Sequence, residues 1–268
     1  MQTVTSRDGT TIAYDRTGTG PAVILVTGAL GSRAFDPLNA PLAELLAPQF
    51  TVYQYDRRGR GDSGDTLPYA VDREVDDIEA LVEQAGGSAY LYGISSGAVL
   101  ALHAARRLPG VAKLAMFEPP FIVDGSRPPR PDDYQARIEH ACAAGDPGEA
   151  VAVFMRFIGL PDEAIAPMRS EPYWPAMAAI AHTLGYDAAV MGDGQTGRPL
   201  PAEAWSTGTP TLVVDGANSE PFLHSAADAI AGLLPDARRH TLTGQDHAVA
   251  PDAIAPVLRD FFTDPQEG

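Results

Sequence analysis

Apolar runs of strand length take turns with stretches whose apolar positions recur at helical spacing along most of this chain. The strand-like runs are residues 22–27, 51–55, 89–92, 112–117, 211–214 and 238–242. The helix-like stretches are residues 37–47, 71–85, 98–107, 225–234 and 253–262. Ahead of them Thr11-Ile12-Ala13-Tyr14 follows the turn residues Arg7-Asp8-Gly9, which predicts an N-terminal antiparallel hairpin. Strands that are apolar on both sides and separated by helices predict a mostly parallel, twisted sheet covered on both faces. Right-handed crossovers then gather the loops at the carboxyl ends of the strands on one edge, where a site is expected.

The interval from residue 121 to residue 205 breaks the alternation. It opens with Arg127-Pro128-Pro129-Arg130-Pro131 and continues with helical patterns at 134–144, 149–158 and 173–184, without a convincing strand. It is expected to be a helical lid inserted into an α/β core made of residues 1–120 and 206–268. Phe154, Met155, Met168, Trp174 and Met177 either line a pocket under this lid or pack the lid onto itself. No internal repeat is evident, and Gln266-Glu267-Gly268 reads as a loose tail.

Composition narrows the function classes. A chain of 268 residues that is 45% hydrophobic can fill one large core. Nineteen basic against 35 acidic residues give a net charge of −16, which repels nucleic acid and anionic membrane surfaces. The lone Cys142 cannot form an intrachain disulfide and has no basic neighbour to activate its thiol, so it is expected to be a small buried apolar residue. The first residues show no basic head followed by an apolar core, and no apolar run reaches membrane-spanning length. A soluble, cytoplasmic protein is the expectation. No ligand-spaced His/Cys cluster and no phosphate-binding glycine loop occurs, so neither metal nor organic cofactor is expected.

The candidate chemistry lies in Gly93-Ile94-Ser95-Ser96-Gly97, between the strand-like Ala89-Tyr90-Leu91-Tyr92 and the helix-like Ala98-Val99-Leu100. A serine on a sharp strand-to-helix turn exposes its hydroxyl only if the residues two places away are small enough for the backbone to fold back. Ser95 has Gly93 and Gly97 in those places, whereas Ser96 has Ile94 and Ala98. Taken alone, the pentapeptide also fits a plain glycine-serine loop. A serine hydroxyl needs a base, and of six histidines His247 is the one on a loop after the last strand, in Thr243-Gly244-Gln245-Asp246-His247. His103 and His240 fall inside elements, His224 beside a helix start, and His140 and His182 in the lid, where packing or surface positions explain them.

Together these features resemble the α/β-hydrolase fold over nearly the whole chain. Thr27-Gly28-Ala29-Leu30-Gly31 is similar to the family's oxyanion loop, with Thr27 where a histidine often stands. Asp56-Arg57-Arg58-Gly59-Arg60-Gly61-Asp62-Ser63 resembles its Asp-x-Arg-Gly-x-Gly-x-Ser turn, read here as structural. The resemblance implies a nucleophile at Ser95, a base at His247, oxyanion donors at the N–H groups of Ala29 and Ser96, and substrate contacts at Gly28 and Leu30. Many relatives place the third, acidic group three residues after the glycine that follows the 211–214 strand, but Ser219 occupies that place. Glu118 ends the preceding strand in Met116-Phe117-Glu118-Pro119-Pro120, and some relatives carry the acid there. A carboxylate at the end of a buried strand needs a partner, either His247 or an arginine at the lid hinge. Glu220, Asp215 and Asp246 remain rivals for the role.

The Ser-Ser-Gly-Ala elbow, Glu118 and Asn218-Ser219-Glu220-Pro221-Phe222 are also similar to the zearalenone-lactonase group, which implies a substrate contact for Trp174 in the lid. The expectation is a serine hydrolase of a carboxylic ester or lactone with a hydrophobic small-molecule substrate. The alternatives are a carbon–carbon bond hydrolase, lyase or cyclase of a secondary-metabolite pathway, or a ligand-binding protein with a vestigial site. A homodimer stays open as the assembly.

Overall fold

A computed structural model describes residues 1–264 of the protein. Eight strands, β1 (Gln2–Thr5), β2 (Thr11–Thr17), β3 (Ala22–Val26), β4 (Thr51–Tyr55), β5 (Ala89–Ile94), β6 (Val111–Phe117), β7 (Thr211–Gly216) and β8 (Ala237–Leu242), form one sheet in the order β1-β2-β4-β3-β5-β6-β7-β8. The β1–β2 hairpin is antiparallel and joins β4 antiparallel; every later pairing is parallel. The predicted strands are all present, and the tail expected at 266–268 lies outside the described residues.

The period-2 alternation of the central strands shows why the sheet is covered twice. In β3, Ile24 and Val26 enter one apolar cluster while Val23 and Leu25 enter another; in β6, Leu114 and Met116 separate from Ala115 and Phe117 in the same way. The first cluster is closed by α2 (Val71–Gln84), α3 (Ser96–Arg107) and α10 (Pro221–Leu233). The second is closed by α1 (Asn39–Leu46) and α11 (Pro251–Thr263).

Between β6 and β7 the described residues form helices only: α4 (Tyr134–Ala143), α5 (Pro147–Phe157), α6 (Asp162–Met168), α7 (Trp174–Ala179), α8 (Leu184–Met191) and α9 (Ala202–Trp205), with a 3-10 turn at Ala181–Thr183 before α8. This segment has an apolar cluster of its own, built on Tyr134, Ile138, Val151, Ile165, Trp174 and Leu184. Cys142 is half-buried against that cluster rather than fully enclosed. Among the described residues no helix is long and apolar enough to cross a membrane.

Candidate active site

Four parallel strands deliver the expected residues to one edge. Ser95 follows β5, Glu118 follows β6, Ser219 lies in the loop after β7 and His247 in the loop after β8. Gly28, Ala29 and Leu30 follow β3. The ladder extends beyond the strands to hold two of these positions: Ser95 N–H donates to Phe117 O at 2.9 Å, and Glu118 N–H to Val214 O at 2.9 Å.

The backbone is strained at three of the expected site residues. Among the described residues the non-glycine positions with positive φ are Leu30 (57°), Ser95 (56°) and Glu118 (46°). Such conformations cost on the order of 1–3 kcal/mol each and persist only where the surroundings impose them. For Ser95 the imposing contacts are glycine-sized. A Cβ on Gly97 would lie 2.3 Å from Val26 O, and one on Gly93 would lie 2.5 Å from Gly97 O. The helix α3 therefore starts directly at Ser96, two residues before the helical sequence pattern begins.

Glu118 and His247 meet. His247 Nδ1 donates to Glu118 Oε2 at 2.6 Å; the carboxylate is fully buried while the imidazole is 48% exposed. Glu118 Oε1 accepts the Gly216 N–H at 2.7 Å and the Ser219 hydroxyl. Ser219, where the sequence resemblance leads one to look for an acid, instead donates its hydroxyl to Glu118. Because a carboxylate only accepts, the proton on a neutral His247 sits at Nδ1 and leaves the Nε2 lone pair free.

The rivals are occupied elsewhere. Glu220 pairs with Arg127 at 3.0 Å, so the hinge arginine is not Glu118's partner. Asp246 accepts from Ala248 N–H at 2.9 Å. Asp215 accepts from Arg239, Thr241 and His224. Burial would raise its carboxyl, but hydrogen bonds from Arg239, His224 and Thr241 outweigh that and hold it at about 2. The Asp215–His224 contact is a second carboxylate–imidazole pair that the sequence pattern did not reveal, and neither residue borders the cavity beside Ser95.

That cavity has a volume of about 990 Å³ and is bordered by Ser95, His247, Ala29, Phe154, Phe157 and Met177 among others. Gly28, Leu30 and Ser96 border it as well. The Ser95 hydroxyl makes no hydrogen bond to the described residues, which leaves it free in the cavity. Ala29 N–H donates to no described carbonyl. Ser96 N–H belongs to the first turn of α3, where helical N–H groups lack intrahelical acceptors.

Trp174 is a correction. It does not border the cavity; it is buried in the helical segment's own cluster, under the Arg169 guanidinium at 5.4 Å from its ring. At the start of α7 the indole packs against Gly148 at the start of α5, where apolar contact buries its ring. Met168 also packs in that cluster, whereas Phe154, Met155 and Met177 reach the cavity.

Sequence reasoning missed Asp187. It lies on α8, borders the cavity, and accepts from Ser96 Oγ at 2.8 Å, Arg57 Nη1 at 2.7 Å and Arg60 Nη2 at 2.8 Å. Burial would raise its carboxyl, but the Arg60 and Arg57 charges hold it below the usual range. Only the cluster of three arginines in the Asp56–Ser63 turn signalled that buried carboxylates must face it. Within that turn Arg58 forks onto Asp77 at 2.8 and 2.7 Å, and Asp56 accepts the Arg33 and Asp62 N–H groups.

Comparison with known proteins agrees with this architecture. The model of the alpha/beta hydrolase family matches residues 23–259. A crystal structure of an alpha/beta hydrolase from Sphaerobacter thermophilus DSM 20745 is 53% identical, with a TM-score of 0.88 over 98% of this chain and 100% of that one. The pimeloyl-[acyl-carrier protein] methyl ester esterase of Xanthomonas oryzae pv. oryzae is 31% identical across 87% of this chain and 90% of its own. The enol-lactonase from Burkholderia xenovorans LB400 shares the fold at 21% identity and a TM-score of 0.71, covering 98% and 100%. The chain belongs to the alpha/beta hydrolase family and is a hydrolase enzyme.

Proposed function

We propose that the protein is a serine hydrolase that cleaves a carboxylic ester or lactone of a hydrophobic small molecule through an acyl-enzyme. The observation that carries this is the Glu118–His247 contact at 2.6 Å on the rim of the cavity that Ser95 enters from its strained turn. Ser95 Oγ attacks the substrate carbonyl carbon while His247 Nε2 takes its proton. Glu118, buried and fixed by Gly216 and Ser219, stabilises the imidazolium that forms. The carbonyl oxygen, now negative, accepts from the Ala29 and Ser96 N–H groups. His247 returns the proton to the leaving alkoxide, and water then repeats the sequence on the acyl-enzyme to release the acid.

The helical segment between β6 and β7 serves as the lid over this cavity, and its Phe154, Phe157 and Met177 give an apolar lining suited to a hydrophobic acyl or alcohol group. The esterase relative supports the ester reading; the lactone half rests on the motif resemblance to the zearalenone-lactonase group.

Fluorophosphonate labelling followed by peptide mass spectrometry tests the proposal without knowledge of the substrate. The expected outcome is one adduct, on Ser95, that is lost in His247→Ala. A folded wild-type protein that leaves Ser95 unlabelled while binding the probe reversibly would sink the reading.

A further inference from the structure

A buried ion cluster grips the loop that follows β3, and nothing in acyl transfer itself requires those charges. The Arg60 side chain is closed off from solvent and donates to four acceptors, the farthest being Gly31 O at 3.4 Å. Its Nη2 donates to Asp187 Oδ2 at 2.8 Å, its Nε to Thr183 Oγ1 at 3.1 Å, and its Nη1 to Gly28 O at 2.6 Å. The Gly28 carbonyl and the Ala29 N–H belong to one peptide group, and in a trans peptide they point in opposite directions. A guanidinium fixed on that carbonyl therefore fixes the direction of the Ala29 N–H. Drawing charge onto the oxygen also makes the N–H a stronger donor.

The other arm of the cluster reaches the second donor. Asp187 Oδ1 accepts from Ser96 Oγ at 2.8 Å, which ties the first residue of α3 to α8. Arg57 Nη1 shares the same oxygen at 2.7 Å, and Arg57 also forks onto Glu74 at 2.9 and 2.7 Å. Arg57 and Arg60 are thus balanced by Asp187 and Glu74, and all four are buried. Buried ion pairs seldom repay their desolvation, and apolar side chains of the same shape serve stability as well. What the cluster supplies that an apolar plug lacks is direction, delivered to Gly28 and Ser96 together.

We infer that Arg60, held by Asp187 from α8, is a positioning residue that aligns the Ala29 and Ser96 N–H groups as an oxyanion hole. This rests on the serine-hydrolase reading above. It also gives the helical segment a direct hold on the hole, because Asp187 is the only member of the quartet contributed by that segment.

The test uses the full chain and two ligands that differ in whether they create an oxyanion. An aryl trifluoromethyl ketone adds Ser95 Oγ to its carbonyl carbon and leaves the negative oxygen in the hole; the matching trifluoromethyl alcohol fills the same space without a carbonyl. Their affinities are read by protection against fluorophosphonate labelling, alongside the labelling rate constant. Arg60→Lys keeps the charge opposite Asp187, but a single ammonium lacks the planar fork that reaches Gly28 O as well. The double variant Arg60→Gln with Asp187→Asn removes both charges and keeps polar side chains of similar size.

Both variants are expected to lose about 10- to 100-fold in labelling rate and in ketone affinity, with alcohol affinity within about twofold of wild type. A merely structural role would weaken ketone and alcohol together, or lower the fraction of protein labelled at an unchanged rate, and either result overturns the inference. A folded variant with wild-type labelling and ketone affinity overturns it too. Should both variants fail to fold, the isosteric Asp187→Asn alone is expected to show the same selective loss of ketone affinity, and its absence counts against the inference. Failure of the wild-type protein to label at Ser95 is a separate result, since it removes the serine-hydrolase reading itself.

Discussion

At the scale of single residues, the decisive feature is a division of labour among carboxylates that look alike in the sequence. Glu118, Asp215, Glu220 and Asp246 all stand near strand ends on the same edge, and only their partners distinguish them. Glu118 is fully buried and has three polar partners, two of which (Gly216 N–H and Ser219) leave its second oxygen for His247. Glu220 is 62% exposed and meets Arg127, whose largely buried guanidinium also lies over the Phe222 ring. On the proposed mechanism Glu118→Gln offers His247 an amide, which favours the wrong tautomer, and the acylation rate falls on the order of 10³- to 10⁴-fold. Glu220→Gln leaves the rate within about twofold, since its carboxylate accepts from Arg127 and His247 pairs with Glu118 instead. Stopped-flow acylation with one activated ester, run on both variants, separates the two; equal losses would remove Glu118 from the site. Ser219 was legible only as a missing acid. That its hydroxyl supports the acid on the neighbouring strand depends on the β6–β7 register, which local sequence does not encode.

At the scale of elements, the strand–turn–helix at β5, Ser95 and α3 was readable in advance because its requirement is steric and local. Gly97 packs against the carbonyls of the last residue of β3 and the one after it so closely that a Cβ would lie 2.3 Å from Val26 O and 2.4 Å from Thr27 O. The three atoms nearest to that Cβ all belong to the main chain, which cannot rotate aside as a side chain would. Gly97→Ala should therefore destabilise the fold by about 3 kcal/mol, at the upper end for overpacking, and urea unfolding measures it. A loss under about 0.5 kcal/mol would show that β3 and α3 can separate. The helical segment was less legible for the opposite reason. In α8 nearly every side chain is buried, so no polar face marks a helical period, and Gly185 weakens the propensity signal. The short α6 carries Pro167, and α9 has four residues. The stretch read as one helix at 173–184 is α7 followed by a 3-10 turn. Asp187 was lost with α8, and with it the link from that segment to Ser96.

At the scale of the whole molecule, charges buried far apart in sequence stitch the sheet edge together. Arg57 and Arg60 from the turn after β4 bind α2 through Glu74 and α8 through Asp187. At the far end of the sheet, Asp215 on β7 binds Arg239 and Thr241 on β8 and His224 on α10. The consequence for stability has a definite sign. Asp215 is held at about 2 in the folded chain against an ordinary value of 3.8, so the folded state binds fewer protons than the unfolded chain between those limits. Its contribution is fully present above the unfolded value and is lost as pH falls from about 4 through about 2. Asp215→Asn cannot titrate. Urea midpoints measured at pH 7, 4 and 2.5 should fall for the wild type across the two acid points. For Asp215→Asn the midpoint should start lower at pH 7, because an amide accepts less strongly from Arg239, and then fall less steeply. Because the other acidic groups titrate in both proteins, the difference between the two curves isolates this site. Parallel curves across the acid range would mean that the Asp215 cluster holds no charge-dependent stability, and that the β7–β8 ladder and the apolar contacts of α10 carry the join.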